Sequence, residues 1–307
     1  MILVAGLTPA WQQILLFDQL VLGEVNRACA ADWSASGKVL NVGMALARLQ
    51  VAAHTLSPVG GWAREPIEQE FLRAGAPATW IATSAPTRVC TTVLDAGNSQ
   101  TTELVQNASL LTTAELDDFR ERFMTLRSQA TAIVLTGSLP RGTPSTIFAE
   151  LMSGVDVPVV LDIRGPELLA ALAHRPALVK PNREELEHTL SRSLSQPADV
   201  AQAVQEIVAR GAQSVLISQG KSPALLATAK QTWRLTPAPV ERVVNPIGCG
   251  DCLAAGVAWG LSEGRSLVDS VRLGMGAAAD NLADRLPALL DRARVEHLAS
   301  LVHLESV

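Results

Sequence analysis

Gly248-Cys249-Gly250-Asp251 stands between a strand-like approach, residues 243–247, and a strongly apolar run that reads as a helix. Glycines there let the backbone turn tightly and keep side chains out of the way of a ligand. The unpaired N–H groups of a first helical turn can then meet developing phosphate charge. An aspartate in the same small volume can take the proton of an attacking hydroxyl while those N–H groups stabilise a phosphoryl group in transit. Taken alone, the tetrapeptide fits equally well as a capped helix start.

Three further groups suit anionic ligands. Lys180 closes the apolar run PALVK, at the kind of strand end where ligand groups collect in open sheets. Asn182 and Glu185 follow it; the glutamate could reach a magnesium ion through water, although the pair also fits a solvated helix start. Arg88 carries a planar fork that can contact two phosphate oxygens, or it is an ordinary charge opening a strand. Cys249 and Cys252 have C-x-x-C spacing, but there is no second pair for zinc, and the intervening Gly-Asp is already explained by phosphate chemistry. The five histidines are far apart and show no metal-ligand spacing. A Walker loop is absent, and Gly6-Leu7-Thr8-Pro9 after the first strand lacks the dinucleotide fingerprint.

The elements that must position these groups repeat as strand, loop and helix. Ile2 to Gly6 reads as a strand and Lys38 to Gln50 as a helix with Val39, Val42, Leu46 and Leu49 along one side. AIVLTG, PVVLDI, PALVK and SVLIS are short continuous apolar runs, each followed by a loop and a plausible helix. Strands of that kind are covered on both faces, which predicts a mostly parallel sheet between helical layers. Residues of about 20–35 and 88–106 break the rhythm and read as β excursions. Three closing helices are expected over Asp251 to Glu263, Leu267 to Asn281 and Leu289 to Leu301, the last started by Pro287.

The 307 residues are 48% hydrophobic and 4% aromatic, with no Tyr, as expected of a folded chain whose interior is small and aliphatic. A net charge of -5, with the basic residues scattered, argues against a nucleic-acid partner. No uncharged apolar run is long enough for a membrane span, and the N-terminus lacks the basic start of a secretory signal. Four dispersed cysteines fit a reducing cytoplasm.

The ordered set of motifs resembles the ribokinase-like, or pfkB, carbohydrate kinases, in the branch of fructose-1-phosphate kinase and tagatose-6-phosphate kinase. MILVAGLTPA, GEVNR at 23–27, SGKVLNV at 36–42, TR at 87–88, TGSLPRG at 136–142, KPNREE at 180–185, SQG at 218–220 and NPIGCGD at 245–251 follow in family order over nearly the whole chain. The resemblance implies a three-layer α/β/α fold over residues 1–307, with a mostly parallel central sheet and a small β lid from about 11–35 and 87–106. It implies ATP and Mg²⁺ as cofactors, a small phosphorylated sugar as partner, and pairing of two lids in a homodimer. Asp251 resembles the catalytic base, and Gly248, Cys249 and Gly250 the anion hole. Gln12, Gly37, Lys38, Asn41, Arg88 and Ser138 match substrate-binding positions, with Thr8 and Arg27 as weaker candidates. Lys180, Asn182, Ser218, Gly220 and Asn281 match nucleotide positions, Asn281 near the adenine, and Glu185 with Asn182 matches the magnesium motif.

Departures gather at the sugar end. Gln12 stands where relatives have an aspartate that accepts from sugar hydroxyls, Ser36 and Val39 replace glycines, Pro223 falls in the nucleotide loop, and Pro246 replaces a threonine. A non-catalytic sugar-phosphate binder and a kinase for an unphosphorylated sugar or nucleoside are the alternatives. The retained GCGD, NREE, Lys180 and Arg88 oppose the first; Arg88 and Lys38 together oppose the second, since a neutral acceptor would leave both cations without a charge partner.

Overall fold

A computed structural model describes residues 1–307. Ten strands form the main sheet: β1 (Ile2–Ala5), β4 (Ala53–Gly60), β5 (Ala78–Thr83), β8 (Ala132–Thr136), β9 (Val159–Asp162), β10 (Leu178–Val179), β11 (Ser214–Gln219), β12 (Ser222–Thr228), β13 (Thr232–Thr236) and β14 (His303–Ser306). Four more form a separate small sheet: β2 (Ala10–Phe17), β3 (Ala30–Ser36), β6 (Arg88–Asp95) and β7 (Gln100–Val105).

The main sheet runs β14-β13-β12-β11-β10-β9-β8-β1-β4-β5, parallel from β11 to β5 and antiparallel at the β12–β14 end. Strand residues alternate between two cores, as a sheet covered on both faces requires. Ile2 and Val4 enter one core with α1 (Lys38–Arg48), α2 (Arg64–Arg73), α8 (Cys249–Ser262), α9 (Leu267–Asn281) and α10 (Arg292–Ser300). Leu3 and Ala5 enter the other with α3 (Thr113–Arg127), α4 (Ile147–Met152), α5 (Pro166–Ala171), α6 (Arg183–Leu190) and α7 (Pro197–Ala209). This is the three-layer α/β/α ribokinase-like fold. The chain builds outward from β1 in one direction through β4 and β5, and in the other through β8 to β11, so a crevice opens at the carboxyl ends of the strands beside β1.

The small sheet is ordered β3-β2-β6-β7, with β2 and β6 parallel, and arches over that crevice. Of the stretch expected to be extended over about 20–35, only Ala30 onward is strand; the residues before it form a loop that Asn26 closes through bonds with Val21 and Glu24. The last helix starts at Arg292, not at Leu289. Ala288 is left-handed (φ 63°), a conformation disfavoured for a non-glycine residue and outside the helical region, and Asp291 supplies the cap by accepting from Arg294 N.

The replaced glycines are accommodated without strain. Ser36 lies in β3 and Val39 in the regular helix α1, neither at positive φ. Gly6 makes room for Val39, because a Cβ there would stand 2.9 Å from Val39 Cβ. Pro223 sits beside the register shift between Ile217 and Gln219, where the ladder asks for no donor.

Candidate active site

The crevice is a cleft of about 470 Å³ whose floor is the strand ends and whose roof is the lid. On one wall α8 begins. Gly248 caps it with φ 86°, and a Cβ there would stand 2.7 Å from Pro287 Cβ, so only glycine permits this turn. Asp251 follows in the first turn, buried at the cleft wall, and accepts from Asn41 Nδ2 at 2.6 Å. Burial pushes its carboxyl up to about 6; the nearby Asp162 carboxylate pushes the same way, while Lys38, Asn41 and Lys180 pull it back. Such a group is ionised near neutrality yet basic enough to take a proton.

Asp162 ends β9 fully buried, with Lys38 Nζ at 3.0 Å and Lys180 Nζ at 3.1 Å on its Oδ1. Burial would raise its pKa, but the two ammoniums outweigh burial and hold it below the usual carboxylate range. Lys38 also donates to Glu185 Oε1 at 2.7 Å. Desolvation opposes its charge, but Asp162, Glu185 and Asp251 raise its pKa further, so it is permanently cationic. Its side chain keeps 32% exposure, leaving the ammonium open to the cleft.

Glu185 and Asn182 form a capping box at the start of α6: Asn182 Oδ1 accepts from Glu185 N at 2.8 Å and Glu185 Oε2 accepts from Asn182 N at 2.9 Å. No three acidic, His or Cys side chains are grouped so as to ligate a metal directly. Each Glu185 oxygen makes one bond here, so this cleft-lining carboxylate keeps spare accepting capacity, which suits the water shell of a magnesium ion.

At the lid end, Arg88 spreads its fork over backbone carbonyls: Thr8 O at 3.0 Å, Pro9 O at 3.2 Å and Gln106 O at 3.3 Å. Thr8 and Ser138 flank it from the ends of β1 and β8. Gln12, buried, accepts from Ser36 Oγ at 2.6 Å and donates to Thr92 and, at 3.4 Å, to Glu103. Gly37, Lys180, Ser218 and Pro246 also line the cleft.

Three expected positions fall elsewhere. Asn281 is buried behind the α8 turn, donating to Ile247 O at 2.9 Å and accepting from Ala288 N at 2.7 Å. It clamps the turn and presents nothing to a nucleotide. Gly220 lies in the exposed β11–β12 turn, outside the cleft, with φ 60°. The Cys249 side chain also lies off the cleft, and its N–H is turned to Pro246 O at 3.3 Å. Burial pushes its thiol up to about 11 and that of Cys252 well above normal, which keeps both protonated and weakly nucleophilic. Asp162, Arg164 and Glu103 line the cleft without having been expected. A signal existed for Asp162, an acid closing the apolar run PVVLDI; nothing local marked the other two.

An acid at a helix start, a buried lysine at a strand end with a second at the start of α1, and a lid arginine over a ribokinase-like sheet define a phosphotransferase acting on a small molecule. Residues 11–285 match the pfkB family of carbohydrate kinases, and the chain belongs to that family, an enzyme that binds ATP. Among solved structures it is similar to phosphofructokinase-2 from Escherichia coli, at 27% identity and a TM-score of 0.87 over 97% of this chain and 98% of that one. A Thermotoga maritima protein described as a possible 1-phosphofructokinase shares the fold at a TM-score of 0.90 and 19% identity, over 100% of both chains. Arabidopsis thaliana ribokinase shares it at 0.72 and 21%, over 97% of this chain and 98% of that one.

Proposed function

We propose that this enzyme transfers the γ-phosphoryl group of ATP to a hydroxyl of a ketohexose phosphate, among fructose 1-phosphate, fructose 6-phosphate and tagatose 6-phosphate, giving the bisphosphate. The observation that carries the reading is a single cleft with the basic carboxylate of Asp251 at a helix start and the Arg88 fork at its lid end. The Escherichia coli relative, described in complex with fructose 6-phosphate, agrees in substrate class.

In this mechanism Asp251 accepts the proton of the acceptor hydroxyl as that oxygen forms its bond to the γ-phosphorus and the bond to the ADP oxygen breaks. The first-turn N–H groups of α8 meet the charge on the equatorial oxygens. Lys180 and Lys38, anchored on Asp162, add fixed positive charge from the floor. Magnesium, held through its water shell by Glu185 and Asn182, would neutralise phosphate charge. Ser218 stands on the nucleotide side. Arg88, with Ser138 beside it, holds the phosphate already on the sugar; Gly37 and Asn41 face the sugar, and Asn41 also orients Asp251. Closing the lid would exclude water, whose attack would waste ATP.

Both edges of the lid sheet, β3 and β7, are unpaired within the chain, which supports pairing of lids in a homodimer. Four free thiols support a cytoplasmic setting; no helix is long and apolar enough to cross a membrane. The test is ADP release with MgATP and a panel of the three sugar phosphates, the free sugars and adenosine. Turnover on one sugar phosphate, lost in Asp251→Asn, is the expected result; turnover only on a free sugar or adenosine would overturn the reading.

A further inference from the structure

The lid face above the cleft has a polarity that the phosphate-binding residues do not explain. Arg88 opens β6 next to the body of the protein, and Glu103 on β7 is paired in register with Thr92, four residues further along β6. At the usual rise of about 3.3 Å per strand residue this sets the Cα atoms of the two residues roughly 13 Å apart along the lid, and both side chains line the cleft. One lid face therefore offers a cation at its inner end and a carboxylate at its outer end.

Hydrogen-bond capacity decides what the outer end can read. Gln12 is committed: its Oε1 accepts from Ser36, and its two amide hydrogens go to Thr92 and Glu103. It can donate nothing further to a ligand. Glu103 accepts only the long 3.4 Å bond from Gln12, forms no ion pair, and lines the cleft from an exposed position. A carboxylate has about four lone-pair sites, so most of its accepting capacity is free. Sugar hydroxyls are the donors that fit it, and a second phosphate at that end would be repelled.

We propose that Glu103 is a specificity-determining residue of the acceptor site, the lid carboxylate that accepts hydrogen bonds from the free hydroxyls of the sugar phosphate while Gln12 fixes its position. This rests on the sugar-phosphate kinase reading and adds to it the group that selects among acceptors. It assigns the acceptor's orientation: its phosphate toward Arg88, its unreacting hydroxyls toward β7.

The test combines binding with turnover. Fructose 1-phosphate, fructose 6-phosphate and tagatose 6-phosphate are titrated calorimetrically into the wild type, Glu103→Gln and Glu103→Ala. The best-bound sugar phosphate should lose about tenfold or more in affinity in both variants, as expected when a charged acceptor of a hydroxyl is removed. The KM for ATP should stay unchanged, and the spread of Kd among the three sugar phosphates should narrow. Equal affinities in wild type and variants, an equal loss for every sugar phosphate, or no binding to any protein would each overturn the assignment. Because these titrations do not require turnover, sugar-phosphate binding that weakens in both variants without any ADP release would sink the kinase reading and leave Glu103 as a reader of hydroxyls.

Discussion

Burial pushes Asp251 from 3.8 up to about 6, so within that interval the folded chain holds a proton that the unfolded chain has released. Stability from this group is therefore lost as pH rises through the interval. Asp251→Asn should be more stable than the wild type at pH 8 by about 1 to 3 kcal/mol, with the gain fading by pH 4, while kcat falls about a thousandfold. Scanning calorimetry at the two pH values and ADP release check both halves. The base form should also set the acid limb of kcat/KM near pH 6. Asp162 has the opposite sign: its pKa is held low by Lys180 and Lys38 against burial, so its contribution is present above the unfolded value and lost as pH falls through the folded one. Asp162→Asn should destabilise the fold by about 3 to 5 kcal/mol, since it leaves the buried Lys180 ammonium without a carboxylate partner, while Lys38 keeps Glu185. It should also move the acid limb of the pH profile downward, because the like charge that raises Asp251 is gone. For Arg88→Ala the expected result is a rise of about 10- to 100-fold in KM for the sugar phosphate with the KM for ATP unchanged.

The start of α8 is an element whose geometry is over-determined. Gly248 is left-handed against Pro287, Cys249 N bonds Pro246 O at 3.3 Å, and Asn281 ties Ile247 to Ala288 across the turn. Gly248→Ala should therefore lower stability by more than about 1 kcal/mol, read as a shift in the urea midpoint. Turnover should fall further than stability does, because the first-turn N–H groups would be turned away from the cleft. The apolar runs of β8, β9, β10 and β11 and the periodicity of α1 were legible because burial on both faces, or on one stripe, imposes a pattern along the chain. Pro287 misled the reading of α10: its ring wedges against Gly248, a contact some forty residues away in sequence, and the left-handed Ala288 after it pushes the helix start to Arg292.

The whole molecule consists of two cores on opposite faces of one sheet, with the lid attached through the β1–β2 and β5–β6 connections and through β3 into α1. The lid carries exposed Leu104 and Val105 on the edge strand β7 and Leu22 and Val25 in the loop before β3. An edge with free backbone groups and apolar side chains seeks a partner. Sedimentation should give a species of twice the 32.5 kDa chain mass, and Leu104→Lys should shift it toward the single chain. A single-chain mass for the wild type at micromolar concentration would refute lid pairing.

The amino-acid sequence by itself determined the layered α/β architecture, the start of α8 at GCGD, and Asp251, Lys180 and Arg88 as candidate groups, through local pattern: apolar runs, glycine at a turn, an acid after it, a lysine at a strand end. Other cleft residues, such as Gln12, Asn41 and Ser218, were expected only through the resemblance carried by the ordered motifs. Only the tertiary structure decided how those groups work together, because that depends on neighbours far apart in the chain. The Lys38–Asp162–Lys180 cluster joins the ends of three segments. Asn281, expected at the nucleotide, is spent clamping a turn 34 residues from it. Glu103 reaches the cleft solely because β7 folds back beside β6. Burial, which sets the Asp251 pKa and silences Cys249 and Cys252, likewise arises when the layers close.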